Sequence, residues 1–458
     1  MATGEVPQAW RDSNISPIYK GGSKKAPSNY RPVSLTSILS RILEKIIFAQ
    51  LRTFIETTDA LPTNQHGFRK GKSCVTNLIE FFDKVTKILD SNQPIDLVYL
   101  DFSKAFDKVA HQYLLEKLKA IGISGKLLTW ITNWLSNRRQ RVLINGKFSD
   151  WDTVISGVPQ GSVLGVILFL IYVMDISNGS SLIAPHSIFS TFADDTKLAQ
   201  CVGTPEGVRQ LQELLDKLAE WSRKWAMPFN VKKCTVMHLG NHNPQQAYQI
   251  DENILESTPI QRDLGVQIHQ SLKPATHINH AVKKAQKILA LIKRTISYKS
   301  RDVLVRLYKS HVRCHLEYAS SVWRPWLIKD INALENVQRR FIKMVQGVTG
   351  NSYEERLKDL GLTTIKARHE RADMIQTFKL RNGIDIIESS SISTQSHPYS
   401  TRGSARNNLL FNHKKLDIRK YFFTERIKSS WNKLSSETRT APSLESFKNR
   451  YDLEVVWN

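Results

Sequence analysis

The sequence predicts an α+β protein, and three observations predict it. Strand-like runs gather in the middle of the chain and end on acidic residues, whereas helical periodicity dominates before and after them. That order fits segregated layers rather than alternating strand and helix. Hydrophobic residues make up 41% of 458, enough for a sizeable core. The longest apolar run, Val163 to Met174, is broken by Gly165 and stops at Asp175, short of the roughly 20 residues a membrane span needs. A soluble protein of several domains is expected, at roughly 150 residues per domain.

Each element follows in turn. A loop rich in Lys, Gly, Ser and Pro (YKGGSKKAPSNYRP) opens the chain. A helix is expected from Thr36 to about Ile55, where Ile38, Leu39, Ile42, Leu43 and Ile46 recur at helical spacing. A second is expected from Val75 to Leu89, then a strand over DLVYLD, ending on Asp101. Tyr113 to Ala120 reads as a helix stopped by Gly122. RQRVLINGKFSDWDTVISGVPQG reads as a β-hairpin turning at Asn145-Gly146, and it leads to a core helix over Val163 to Met174. SIFSTFADDTKLAQCV reads as another hairpin, with Asp194 and Asp195 at its tip. From Pro274 the pattern becomes basic amphipathic helices near 277–297, 301–318 and 330–346, then a helical pair over 353–383. Ser389 to Asn407 is a Ser-rich linker, and the last fifty residues form a small helical cap.

Charge narrows the function classes. Lys plus Arg number 65 against 42 Asp plus Glu, a net charge of +23. Residues 273–458 hold 35 basic and 17 acidic side chains, or +18, whereas residues 1–272 hold 30 and 25, or +5. Such a field steers polyanions, with nucleic acid ahead of an anionic membrane; a merely solvated basic surface is the plain alternative. Binding is expected mainly in residues 273–458, as a separable piece. Cys74, Cys201, Cys234 and Cys314 lie far apart, which excludes a zinc ribbon, zinc knuckle or disulfide framework and suits a reducing compartment. MATGEVPQAWRDSN has no apolar signal-peptide core.

The chemistry-bearing residues are carboxylates. Asp101 ends a strand-like run, and Asp194-Asp195 occupies a hairpin tip. Adjacent carboxylates repel, so a fold that brings them to a third needs a compensating cation. Hard divalent ions with oxygen ligands suit that need, and two of them support phosphoryl transfer. In isolation, Asp-Asp is a common solvated turn, so its neighbours in the sequence decide. FADD is preceded by DFSKAFD and by GVPQGSVLGVILFLIYVMDI, in that order.

These blocks resemble the reverse transcriptases of non-LTR (LINE-type) retrotransposons, within them the jockey-like branch. SPIYKGG, NYRPVSLTSILSRILEKII, NQHGFRKGKSC, NVKKCTVMHLG and RDLGVQI carry the same resemblance, and YEERLKDLGL, KYFFTERI and SWNKL extend it to the C-terminal region. It implies a right-hand polymerase: fingers over 1–95, an antiparallel-sheet palm with catalytic carboxylates and primer grip over 96–272, and a helical thumb over 273–347. A helical C-terminal region over 348–388, the linker at 389–407 and a small helical segment over 408–458 complete it.

The resemblance also assigns roles. Asp101 and Asp194 would hold two Mg²⁺ ions (or Mn²⁺), with Asp195 more peripheral and the Phe102 carbonyl as a further ligand. Phe106 matches the position beneath the sugar of the incoming nucleotide, with core packing as its rival role. Gln160 and Gly161 would pack against nucleotide and templating base, and Lys20 and Arg31 would clamp the triphosphate. Lys233 would protonate departing pyrophosphate, with Lys232 competing. Arg69 would touch template or only solvent. Leu264-Gly265 would form the primer-grip turn. The histidines, including His66 and His111, read as structural.

The implied activity is RNA-directed DNA synthesis from a primer 3′-OH. Its partners are an RNA template, a DNA primer or target DNA, and dNTPs, with no membrane; the implied compartments are nucleus for target-primed synthesis and cytoplasm for RNA binding. The alternative is a catalytically silent or domesticated nucleic-acid-binding remnant; a group-II-intron-like maturase is disfavoured by the C-terminal blocks. Family members also carry an N-terminal endonuclease. Here the first fingers block starts by Trp10, so a copy truncated at its N-terminus is expected.

Overall fold

A computed structural model describes residues 4–177, 187–297, 300–388, 409 and 413–456; the expected linker at 389–407 lies outside them. The chain starts with α1 (Gln8–Arg11), β1 (Asp12–Tyr19), β2 (Tyr30–Leu35), α2 (Ile38–Thr57) and α3 (Cys74–Asp90). Then come β3 (Ile95–Leu100), α4 (His111–Ala120), α5 (Gly125–Leu135), β4 (Arg138–Ile144), β5 (Lys147–Phe148), β6 (Asp152–Val154) and α6 (Leu164–Val173). The hairpin β7 (Ile188–Phe192) and β8 (Asp195–Cys201) follows, then α7 (Pro205–Lys224) and β9 (Thr235–Leu239). Short strands β10 (Gln249–Ile250), β11 (Asn253–Ile254) and β12 (Glu256–Ser257) precede the hairpin β13 (Ile260–Asp263) and β14 (Val266–His269).

β3 explains the architecture. All six of its residues are buried, because helices cover both faces of its sheet. Ile95, Leu97 and Tyr99 point into one core with α3 and the C-terminal helices. Val98 and Leu100 point into a second core with α6 and α7. The period of two along a strand makes one strand serve both cores. The sheet runs β12-β9-β3-β8-β7, antiparallel apart from the β12–β9 pair. Asp101 therefore leaves the buried centre of the molecule.

The hairpin expected at Asn145-Gly146 forms, with both turn residues in the left-handed region. Its strands have a further partner the sequence did not announce. β4 runs parallel to β1, giving the order β2-β1-β4-β5 with β6 also on β4. Residues 138–154 thus join a sheet begun by residues 12–35, across the boundary expected at 95. The opening loop also proves to contain the end of β1 and the start of β2.

α2 forms where expected, but its apolar stripe faces outward. Ile38 is 76% exposed and Leu39 63%, while Ser40, Glu44, Ile47, Leu51 and Ile55 are buried. The reason is Glu44, whose carboxylate accepts the Val163 and Leu164 N–H groups at 2.9 and 3.2 Å. It caps the N-terminus of α6, where unpaired N–H groups and the helix dipole favour an anion. That cap shares one face with the buried Ile47, Leu51 and Ile55, which leaves Ile38, Leu39, Ile42 and Ile46 outside and Leu43 half-buried against the second core.

The helical part comprises α8 (Ala275–Thr295), α9 (Arg301–Leu307), α10 (Arg313–Glu317), α11 (Ser320–Trp323), α12 (Ile328–Ile342), α13 (Tyr353–Asp359) and α14 (Ile365–Arg381). The single helix expected over 301–318 is interrupted by a π-helical turn at Tyr308–Val312. α15 (Asp417–Lys420), α16 (Phe423–Lys433), α17 (Ser436–Arg439) and α18 (Leu444–Tyr451) close the chain. They are no detached cap. The Arg419 guanidinium lies 2.6 Å from Asp83 Oδ1 on α3 and 3.0 Å from Glu425, all three side chains buried. Residues 273–458 also share one core with α3 and β3, so they do not form the separable piece expected from charge alone. No helix among the described residues is long and apolar enough to cross a membrane.

Candidate active site

Asp101 is the first residue past β3, and its backbone is pinned on one side. Its carbonyl accepts the Asn230 N–H at 2.7 Å, and the Ser103 N–H donates to Pro228 at 2.9 Å. The Phe102 ring stacks on Phe229 with centroids 4.7 Å apart. Asp101 Oδ2 is buried without a directed hydrogen bond, and Lys233 Nζ stands 3.1 Å away as its ion-pair partner. Of the adjacent lysines, Lys233 rather than Lys232 makes this pair.

Asp194 lies in the two-residue turn of the β7–β8 hairpin, after Ala193 in the left-handed region. Gln65 holds that turn: its Oε1 accepts the Ala193 N–H at 2.9 Å and the Gly67 N–H at 2.7 Å. Asp195 starts β8. Burial raises the Asp194 carboxyl above the ordinary range, and Asp101 adds to the rise, while Arg31 and Lys20 oppose it. Asp195 is accessible at its surface yet crowded; burial first, then Asp194, Asp263 and Asp101, push it up to about 6. The three carboxylates therefore share one field. They form an excess of negative charge at the end of a buried sheet.

A hard divalent cation fits that arrangement. The donors are all oxygen, one buried carboxylate oxygen makes no directed hydrogen bond and has the Lys233 ammonium beside it, and two neighbours resist ionisation. Among the described residues no three His, Cys, Asp or Glu side chains enclose a metal by themselves. Mg²⁺ needs no such cage, since it typically takes one or two carboxylates with substrate phosphates and water.

The other sequence-chosen residues surround this point unevenly. Lys20 and Arg31 are exposed at the loop end of the β1–β2 pair, where their charges reach Asp194. Phe106 follows Lys104 at φ +52 and is half-buried, its ring stacked on Phe169 of α6 with centroids 4.4 Å apart. Gln160 Nε2 donates to Asp107 Oδ1 at 2.9 Å, and its carbonyl accepts the Ser34 N–H of β2 at 2.7 Å. Gly161 has φ +107, and a Cβ there would stand 3.2 Å from the Ser34 carbonyl. Its glycine is thus demanded by β2, whatever it does for a nucleotide.

Leu264 and Gly265 form the turn between β13 and β14, both in the left-handed region. A polar cavity of about 360 Å³ separates this turn from the carboxylates, lined by Asp101, Asp195, Lys197, Lys233, Arg262 and Asp263 among others. Arg69 is half-buried rather than merely solvated: its guanidinium donates to the Pro62 carbonyl at 2.8 Å and braces its own loop. His66 and His111 are structural, bonded to Thr76 and to the Gly157 carbonyl.

Sequence reasoning missed Gln65, Asp107, Lys197, Asp263 and Tyr318. Gln65 and Asp107 lay inside the quoted blocks NQHGFRKGKSC and DFSKAFD, so a signal existed. Asp263 also lay inside a quoted block, RDLGVQI, and Lys197 inside the hairpin SIFSTFADDTKLAQCV, but their pairing, like the Tyr318 contact, joins distant segments and left no local signal.

The family described as reverse transcriptase (RNA-dependent DNA polymerase) matches residues 21–299, more than half of the chain. The chain is 26% identical over 398 residues to the probable RNA-directed DNA polymerase from transposon BS of Drosophila melanogaster, covering 83% of this chain and 43% of that relative. It is 29% identical over 356 residues to the RNA-directed DNA polymerase from mobile element jockey of Drosophila funebris, covering 76% and 39%. The chain thus spans about two fifths of the length of these curated relatives. A solved structure of apo telomerase from Candida tropicalis aligns with a TM-score of 0.46 at 11% identity, covering 83% of this chain and 68% of that one.

Proposed function

The chain belongs to the reverse transcriptase (RNA-dependent DNA polymerase) family and is similar to the polymerases of jockey-like non-LTR retrotransposons; from that premise we propose that it extends a DNA primer 3′-OH with dNTPs on an RNA template. One observation carries the reading: Asp101, Asp194 and Asp195 share a field at one end of the central sheet, with the charges of Lys20 and Arg31 facing it.

On this reading residues 1–95 are fingers, joined by the paired strands of residues 138–154. Residues 96–272 otherwise form the palm, 273–347 the thumb, and 348–388 and 408–458 the helical C-terminal part. Asp101, Asp194 and the Phe102 carbonyl would hold two Mg²⁺ ions, with Asp195 beside them. Bound there, the ions supply the positive charge that activates an attacking hydroxyl and stabilises the leaving oxygen. The chain's own residues do the rest. Lys20 and Arg31 clamp the triphosphate, Arg through its planar fork. Phe106 lies beneath the sugar, Gln160 and Gly161 border the base, and Leu264-Gly265 guides the primer. Lys233, already 3.1 Å from Asp101, donates a proton to departing pyrophosphate. Target-primed synthesis would occur in the nucleus and RNA binding in the cytoplasm.

Primer extension on a primed RNA with Mg²⁺ tests the reading. Asp194→Asn should abolish extension and leave RNA binding nearly unchanged, because it removes charge at the reacting centre and none from the basic surface; Asp195→Asn should be milder. Undiminished extension by the Asp194 variant would sink the assignment. RNA binding without extension by the wild-type chain would instead favour a silent binding scaffold.

A further inference from the structure

The turn proposed to guide the primer is held from two sides. Asp263, the last residue of β13, meets Lys197 of β8 with Nζ 2.5 Å from Oδ2, both side chains 5% exposed. Lys197 lies two residues after Asp195, so the two side chains leave β8 on the same face. Its ammonium is seated against Phe81 and Phe82 of α3, 4.7 and 5.5 Å from their centroids. On the other side, the Tyr318 hydroxyl donates to the Leu264 carbonyl at 2.8 Å. A Cβ on Gly265 would stand 3.1 Å from the Tyr318 ring, so the ring lies directly on the turn.

A buried ion pair is a weak device for stability. Its desolvation offsets most of its attraction, and apolar residues of similar volume often serve as well. What a close pair does provide is a fixed distance between two segments. Here those segments are the strand that begins with Asp195 and the turn that begins after Asp263, and the polar cavity lies between them.

We propose that Lys197, Asp263 and Tyr318 are positioning residues that set the Leu264–Gly265 turn against Asp195 and thereby align a primer end with the reacting carboxylates. The inference rests on the polymerase reading above. It assigns Lys197 and Asp263 no proton transfer, and Tyr318 no contact with the nucleotide.

Steady-state extension of a primed RNA by the full chain, with primer–template and dNTP varied separately and a melting curve for each variant, provides the test. Tyr318→Phe removes one hydroxyl from a side chain that is 44% exposed, so its melting point should stay at the wild-type value. Its primer–template KM should rise about fivefold, the worth of one hydrogen bond, at unchanged dNTP KM. Lys197→Met alone should melt earlier, because Asp263 is left buried and unpaired. The double variant Lys197→Met/Asp263→Leu should recover most of the melting point yet keep a raised primer–template KM. Recovery of stability and of primer KM together would make the pair merely structural. A wild-type primer KM in Tyr318→Phe overturns the role of Tyr318, and it decides the proposal alone should the double variant not fold. No extension by the wild-type chain would overturn the polymerase reading itself, a distinct result.

Discussion

Phe106 has two faces, and they invite different roles. One lies on Phe169 and is core; the residue is only half-buried, which leaves part of it free. If a sugar sits on that free face, a ring there fills the volume a 2′-OH would need. Shrinking it to Val should raise rNTP over dNTP incorporation roughly ten- to a hundredfold, each 1.4 kcal/mol being about tenfold. Because the buried face also loses contacts, some stability should go with it, about 1–3 kcal/mol, read as an earlier melting transition. The ratio of kcat/KM for rNTP and dNTP separates the roles, since a pure core loss lowers both rates alike. Asp101, Asp194, Asp195 and Lys233 were legible as residues because each stands in a motif. Asp263 stands in a motif too, but its pairing with Lys197 was not legible, because nothing local marks a partner 66 positions away.

At the scale of elements, period and turn chemistry told most of the truth. β3, both hairpins, α3, α4, α6, α8 and α12 fall within a few residues of their expected spans. α2 shows where such reading stops. Five apolar residues at helical spacing marked the helix, yet four of them lie outside, because the buried face is formed by Glu44, which caps α6, with Ile47, Leu51 and Ile55. α5, α7 and β9 were passed over, although Leu211, Leu214, Leu215 and Leu218 of α7 are all buried in the second core. α14 carries a testable consequence of burial. The His369 Nε2–H donates to the Leu316 carbonyl, 2.7 Å away, with its ring edge-on to Trp323, and burial lowers its pKa to about 4. A histidine depressed in the folded state binds fewer protons there than when unfolded between pH 6.5 and 4. Stability therefore falls as pH drops through that window, by on the order of 3 kcal/mol for this group. Melting curves from pH 7 to 4 should show the loss, and His369→Asn should flatten it. An equally steep fall in that variant would place the acid sensitivity elsewhere.

For the whole molecule, the charge count was right and its architectural reading was not. The C-terminal half carries most of the positive excess, but its helices are welded to α3, which in turn supports β7: Asn77 Nδ2 donates to Ser190 Oγ at 2.8 Å and to the Thr191 carbonyl at 3.1 Å. No composition signal says that residue 419 closes on residue 83. Removing that contact should be costly. Arg419→Ala leaves the Asp83 carboxylate buried beside Thr424, so a loss of about 3–5 kcal/mol is expected, read as an earlier melting transition. Catalytic turnover should fail at a lower temperature in step with it, although Arg419 touches nothing near Asp101. A melting point within error of the wild type would show that Asp83 finds other compensation.

The double burial of β3 has a kinetic meaning too. Amide protons exchange with solvent only when a hydrogen bond opens, and the rarest openings are those that require the whole domain to come apart. Val98 bonds within a sheet whose two faces belong to separate cores, so opening it means breaching both at once. The amides of Ile95–Leu100 should therefore be among the last to take up deuterium, and those of α2's exposed face and the β5–β6 strands among the first. The strand that carries Asp101 would be the chain's slowest clock, and isotope uptake there would time the disappearance of the last folded molecules.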